Sequence, residues 1–218
     1  MATIDNTSRS QGTGASGSRP CWSCNEEVNL RSPFCHLCGV IQPPLPSDHF
    51  VRLGLPRNYD LSDDNLERQY FGFQRTYHPD RFAQKPPREQ AISMEYAANI
   101  NDAYNTLRNP LLRAEYMLRL QGIEVAGGDG DTVADPELLM EVMELNELIV
   151  GANTIDQMTS LRERINAEVA ASEIALGVVF AENDFDRAAN VALRLRYMTR
   201  LSEQAQQSAG SLPGNRKN

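Results

Sequence analysis

Two groups of residues in this chain have the types and spacing to do chemistry. The first is Cys21-x-x-Cys24 with Cys35-x-x-Cys38, two pairs ten residues apart that include every cysteine present. A short loop presenting two thiolates can form half of a tetrahedral site. A spacer of this length folds the second pair onto the first, so the pattern suits Zn²⁺. Gly39, directly after the second pair, offers the backbone freedom such knuckles use. Disulfides, iron and a thiol-redox pair are the other chemistries that four cysteines could support. His36 could replace one thiol, but four sulfurs already complete the set, and a closed set leaves no position for substrate. The expected role of the metal is therefore structural. Residues 21–42 hold few large apolar side chains, Trp22, Val28, Leu30 and Phe34 among them, too few for a core. Metal binding, about 10–16 kcal/mol in zinc-finger peptides, would have to supply most of the folding free energy.

The second group is His78-Pro79-Asp80. Taken alone, the tripeptide is ordinary turn chemistry, because Asp after Pro is a favoured turn residue. His78 and Asp80 could also act as an acid–base pair. However, the rigid Pro79 sits between them, and no second constellation of polar groups in the sequence supports a pocket. The chain is expected not to be an enzyme, with no catalytic residues.

The flanking segments raise the significance of the tripeptide. Leu66, Tyr70, Phe73 and Tyr77 recur at i, i+4, i+7 and i+11, within roughly 60° of one another on a helical wheel. Ala97, Ile100, Tyr104 and Leu107 form a second stripe after Pro86-Pro87. Pro79 disfavours helical geometry at His78 and should end the first helix there. Two amphipathic helices joined by about a dozen residues predict an antiparallel hairpin with the tripeptide at its tip. Arg68 and Arg75 fall opposite the apolar stripe, a solvent-facing basic strip suited to an acidic partner or simply a solvated face.

The chain divides into a Gly/Ser-rich leader over 1–20, expected to be disordered, and the four-cysteine module over 21–42. A helical domain follows over 43–121, then a linker over 122–135, a helical domain over 136–208 and a frayed tail over 209–218. Pro43-Pro44-Leu45-Pro46 and Gly127-Gly128-Asp129-Gly130 punctuate two of these boundaries. The sequence shows no internal repeat and almost no strand-like alternation, so the expected fold is all-α. A net charge of −8 argues against binding nucleic acid, which requires phosphate neutralisation. No apolar run has the roughly 20 residues needed to span a bilayer. The leader lacks the apolar core of a secretory signal. Ser8, Ser10, Ser16 and Ser18 with Arg9 and Arg19 only weakly suggest a transit peptide.

In the last domain Leu138, Val142, Leu145 and Ile149 form one narrow apolar stripe. Leu139, Met140 and Met143 lie on the other side, flanked by Glu144 and Glu147. Such a helix either packs inside a bundle or offers its second face to a partner, for which Met side chains are adaptable. Thr154 with Gln157 reads as a capping box opening a long helix toward Ala181, and Asp184 as the start of another. There Ala188, Val191, Ala192, Leu195 and Met198 share a face, and Tyr197 points away from them, beside Arg196.

His78-Pro79-Asp80-Arg81-Phe82, Ile100-Asn101-Asp102-Ala103-Tyr104 and Leu107-Arg108-Asn109-Pro110 together resemble a J domain. Pro136 to Ile149 and Arg194-Leu195-Arg196-Tyr197 extend the resemblance, over about Asp48 to Gln204, to HscB, the J-type co-chaperone family of iron–sulfur cluster assembly. The four-cysteine module resembles that of eukaryotic and some bacterial members. The resemblance implies a J-domain hairpin, a C-terminal three-helix bundle and a preceding zinc knuckle module. It implies that His78, Pro79 and Asp80 meet a heat-shock-seventy-class ATPase chaperone, HscA-like or DnaK-like, and the basic Arg68, Arg75 and Arg81 beside them are expected to join that contact. It places an IscU-like iron–sulfur scaffold on Leu139, Met140, Met143, Glu144 and Glu147, and the outward Tyr197 beside Arg196, read from the helical wheel, is expected to extend that patch. From the net charge of −8 and the lack of a spanning apolar run, no nucleic-acid or membrane partner is expected. The compartment would be the cytoplasm of a bacterium or the mitochondrial matrix of a eukaryote. The alternatives are a zinc-containing J-domain adaptor for another client, or a metal-transfer or thiol-redox protein. One departure is Gly72 inside the first hairpin helix.

Overall fold

Short polar side chains start most of the helices, as the computed structural model shows over the residues it describes, 17–125 and 135–211. Asp48 caps α1 (His49–Arg52), accepting from Val51 N at 2.8 Å. Asp63 and Asp64 open α2 (Asp63–Tyr77), where carboxylates complement the helix dipole. A 3₁₀ turn (Pro79–Phe82) leads to α3 (Pro87–Arg108). Asn109 caps α4 (Pro110–Leu120), accepting from Leu112 N at 3.0 Å, with Pro110 where its missing N–H costs nothing. Asp135 caps α5 (Pro136–Gly151), Thr154 caps α6 (Ile155–Ala181) and Asp184 caps α7 (Phe185–Ser211). The capping box holds in part: Thr154 accepts from Gln157 N, and Gln157 Oε1 accepts from Asn153 N.

The all-α expectation is met, with a helical hairpin, three C-terminal helices and a small knuckle module. The one described sheet is two-stranded, β1 (Ser18–Pro20) antiparallel to β2 (Glu27–Asn29). That sheet corrects the leader, which was expected to be disordered as far as Pro20. Arg19 pairs in register with Val28, whose side chain is fully buried, and Arg19 Nη2 donates to Pro43 O at 2.7 Å. The tail is corrected too, since α7 continues through Gly210 to Ser211. Residues 1–16 of the leader, 126–134 of the linker with Gly127–Gly130, and 212–218 lie outside the described residues.

The described residues form two compact units. One joins the segment up to Ser47 with Gln74–Asn99; the other joins Asp48–Phe73 with the chain from Ile100 onward. In the second unit, Tyr70 stacks on Tyr104 with centroids 4.0 Å apart, and Tyr70 Oη donates to Asn101 Oδ1 at 3.1 Å. α7 supplies the spine of that unit. Its Ala188, Ala192 and Leu195 pack with Tyr59, Ala114 and Leu118 and with Leu176 and Phe180 of α6. Its Leu193, Met198, Leu201 and Ala205 pack with Leu138, Leu145 and Ile149 of α5 and with Met158, Leu161 and Ile165 of α6. Small residues at Ala114, Ala188 and Ala192 let the helices approach closely. α4 therefore shares a core with the C-terminal helices.

Gly72 lies mid-helix with nothing within 4 Å of the position a Cβ would take. Gly72→Ala is therefore expected to stabilise the protein by about 1 kcal/mol through backbone entropy, visible as a raised Tm. An unchanged or lowered Tm would show that the open space is needed.

Candidate functional site

α2 ends at Tyr77, the residue before Pro79's constraint takes hold, and His78 is extended (φ −57°, ψ 130°). His78 Nδ1 accepts from Asp80 N at 3.3 Å, and the Asp80 carboxylate lies 3.6 Å from the same nitrogen. The tripeptide thus closes on itself and points outward: the Asp80 side chain is 90% exposed and that of His78 51%. Phe82 is buried and anchors the turn from below. Arg81 folds back and donates to Arg75 O at 2.8 Å, tying the turn to the end of α2. Arg68 and Arg75 both stand exposed on α2, with Arg68 Nη2 donating to Asn65 Oδ1 at 3.3 Å.

The two cysteine knuckles share one geometry. Asn25 N donates to Cys21 O and Gly39 N to Cys35 O, each at 2.9 Å, and both donors hold positive φ, 62° and 74°. Gly39 announced its turn; Asn25, the other residue type that tolerates this conformation, was overlooked. A Phe34–Ile41 bridge closes the second knuckle as β1–β2 closes the first. The four Sγ atoms lie within 4.8 Å of one another, with Cys21–Cys38 and Cys24–Cys35 both at 3.7 Å. That is far beyond the roughly 2.05 Å of a disulfide. It matches the edge, about 3.8 Å, of a tetrahedron with Zn–S bonds of about 2.3 Å. His36 is exposed and stands outside this cluster.

Protonation chemistry also fits a cation. Burial raises the Cys21 thiol, but the N–H groups of Cys24 and Ser23 and the neighbouring thiols outweigh it, so its pKa falls to about 6. Cys24 gains from Glu26 N–H, yet burial and the other three sulfurs push it up to about 12. Four thiols this close share their charge unequally until a cation lets all of them ionise. Gln42 Nε2, fully buried, donates to Cys21 Sγ at 3.3 Å as an outer support.

On α5 the two faces separate as their spacing predicts. Leu138, Leu145 and Ile149 are buried and Val142 half-buried. Leu139 (43% exposed), Met140 (72%) and Met143 (57%) face solvent with Glu144 and Glu147. The sequence reading missed Leu148, which is also exposed. With Glu147 it borders an open groove of about 650 Å³ whose other wall carries Gln157 and Arg164 of α6.

The remaining pair behaves otherwise. Tyr197 was expected to point outward, but it is half-buried against the α5–α7 core. Arg196 turns to α4, where Nε donates to Glu115 Oε1 at 3.0 Å, so it does not join the α5 face. Arg194, given no role of its own in the sequence motif that contains it, grips Glu141 of α5 through two bonds (2.7 and 3.0 Å) and Glu168 of α6 at 2.8 Å. It ties all three helices through charge, and Gln204 Nε2 to Asn146 Oδ1 and Ser202 Oγ to Asn166 Oδ1, both at 2.7 Å, add neutral links.

Comparison with known proteins agrees with this architecture. Residues 134–206 match the family model described as the HSCB C-terminal oligomerisation domain. The chain is 33% identical over 194 residues to the iron-sulfur cluster co-chaperone protein HscB of Mus musculus, covering 87% of this chain and 82% of that protein. It is 37% identical over 163 residues to the co-chaperone protein HscB of Proteus mirabilis (strain HI4320), covering 73% of this chain and 94% of that one. The crystal structure of human co-chaperone protein HscB superimposes with a TM-score of 0.81 at 29% identity, over 86% of this chain and 96% of that one. With a solvent-facing His-Pro-Asp turn, a divided α5 and these relatives, the chain belongs to the HscB family of co-chaperones.

Proposed function

We propose that this protein is a non-enzymatic J-type co-chaperone that carries an iron–sulfur scaffold protein to a heat-shock-seventy-class ATPase and triggers ATP hydrolysis there. The observation that carries the reading is the His78-Pro79-Asp80 turn, exposed between two antiparallel helices and stiffened by its own hydrogen bond. Acid–base catalysis works best where water is excluded, and these two side chains stand in solvent. A rigid, charged projection is instead suited to docking, because little conformational entropy is lost when it binds. Arg68, Arg75 and Arg81 add positive charge on and beside α2, which favours an acidic partner surface and speeds encounter. The reacting atoms all belong to the ATPase and its nucleotide; this chain contributes contacts that favour the hydrolysing conformation.

The scaffold is assigned to α5. Leu139, Met140 and Met143 offer an apolar patch whose flexible Met side chains adapt to a partner, and Glu144 and Glu147 supply a polar rim. Tyr197 is assigned an indirect role, backing α5 from the core, and Arg196 none in contact. Zn²⁺ is the proposed resident ion of Cys21, Cys24, Cys35 and Cys38. Four thiolates outweigh its two positive charges and fill its coordination, so it would supply cross-linking of the two knuckles and no open position for substrate.

Leu139→Ala combined with Met143→Ala is expected to weaken scaffold binding at least about tenfold, measured by titration calorimetry, with helicity unchanged. Both side chains are exposed, so the double variant keeps its core. Unaltered affinity would remove the client from this face.

A further inference from the structure

We propose that the four-cysteine module is a clamp that positions the His-Pro-Asp turn, with Phe34 and Trp22 as its two contact residues. This role rests on the co-chaperone reading above and assigns the module a task within it. The module and the tip of the hairpin belong to one compact unit, and the contacts between them fall on both sides of the turn. On one side, Phe34, next to Cys35, stacks on Tyr77 with centroids 6.1 Å apart and planes 12° from parallel. Tyr77 is the last residue of α2 and the immediate neighbour of His78. Its ring is held on Tyr96 at 4.3 Å and 8°, and its carbonyl accepts from Ser93 Oγ at 2.8 Å. On the other side, Trp22, next to Cys21, lies beneath the Arg88 guanidinium, 4.4 Å from ring to cation. Ile41 N donates to Glu89 at 3.5 Å, and the Glu89 carboxylate is buried in the first turn of α3.

The two arms are joined inside the module. Trp22 Nε1 donates to Ile41 O at 2.7 Å, and Ile41 bridges Phe34 across the second knuckle. Between the arms the loop is stiffened by its own bonds, among them Arg81 N to His78 O at 3.0 Å, Arg81 Nη1 to Arg75 O at 2.8 Å and Gln90 Nε2 to Lys85 O at 2.8 Å, and by the buried Phe82. A short, internally stiff loop takes its orientation from its two ends, so loosening either end reorients the whole turn. Fixing Tyr77 and Arg88–Glu89 raises the fraction of molecules whose turn is ready to dock. Apparent affinity for the ATPase rises in proportion to that fraction.

The test uses the full chain with two readouts. Phe34→Leu keeps apolar volume and removes the ring; Phe34→Tyr keeps the ring. With Phe34→Leu, the concentration giving half-maximal ATPase stimulation should rise about fivefold, and amide exchange at residues 80–83 should quicken about tenfold. Zinc content and scaffold affinity should stay at wild-type values, and Phe34→Tyr should restore both readouts. Metal-depleted protein, in which the clamp is lost without substitution, should show the same loosening of 80–83. Wild-type exchange at 80–83 in both Phe34→Leu and the metal-depleted chain would overturn the clamp. His78→Gln separates the two readings. If it stimulates as well as wild type, the co-chaperone reading fails, and exchange still decides the clamp. If it is inactive while Phe34→Leu stimulates normally, the clamp alone fails.

Discussion

Asp80→Asn is expected to abolish the protein's stimulation of its partner's ATPase while leaving scaffold affinity and helical content unchanged. The Asp80 side chain is 90% exposed and lies in a short turn, so its carboxylate supports no core and removing its charge should cost little stability. The N–H of Asp80, which donates to His78 Nδ1, survives the substitution, so the turn keeps its shape. What disappears is a negative charge offered to another protein. Truncating one member of a docked, hydrogen-bonded charge pair costs about 2–5 kcal/mol, a loss of roughly thirtyfold or more in the productive complex. Scaffold binding is assigned to α5 and should not respond. A steady-state ATPase titration beside a scaffold-binding isotherm reads both. Retained stimulation, or loss of both functions together, would contradict the separation of roles.

Metal removal is expected to have the largest effect on folding, confined to the module. Val28 and Ile41 are the fully buried apolar side chains of residues 17–42, and the cysteine cluster's own core is only Cys21, Cys35 and Val28 with Val40 packed against them. Without the ion the thiols cannot all ionise, and the two knuckles lose the link that folds one onto the other. In zinc-finger peptides such a site contributes about 10–16 kcal/mol, more than the whole stability of many small domains. Chelation should therefore unfold the knuckles and release Trp22 from Arg88, seen as a change in its fluorescence. The helical circular dichroism should persist, because α4 to α7 share a core to which the cysteines do not contribute. Collapse of the helical signal on chelation would show that the module supports the entire fold.

Much of this was legible in the sequence because local chemistry specifies it. Helix ends followed Pro79, Thr154 and Asp184, and the burial of Leu66, Tyr77, Ile100 and Leu107 followed their spacing. The metal cluster was legible because two-residue spacers leave a thiol pair few other geometries. The short α1 and α4 escaped because their helical runs are brief, although Asp48 and Asn109-Pro110 were readable starts. Tyr197 was misjudged for a specific reason: the wheel gave its angle from one α7 stripe, but α7 packs on α4 along one side and on α5 along another. An angle from one neighbour says nothing about the next. Arg194 and Arg196 show the same limit, since Glu141, Glu168 and Glu115 are 53, 26 and 81 residues away. The grouping of the cysteine module with the tip of the hairpin is also long-range, and no local pattern announces that Phe34 meets Tyr77.

A single-turnover assay of the ATPase tests the central assignment most directly: preload the chaperone with ATP, add this protein with and without the scaffold, and follow phosphate release. Hydrolysis should accelerate as the protein is added, saturate, and accelerate further with scaffold present, with Asp80→Asn giving a flat line. A rate indifferent to the wild-type protein, or raised equally by the Asp80 variant, would show that the exposed corner between α2 and α3 is not what the ATPase reads.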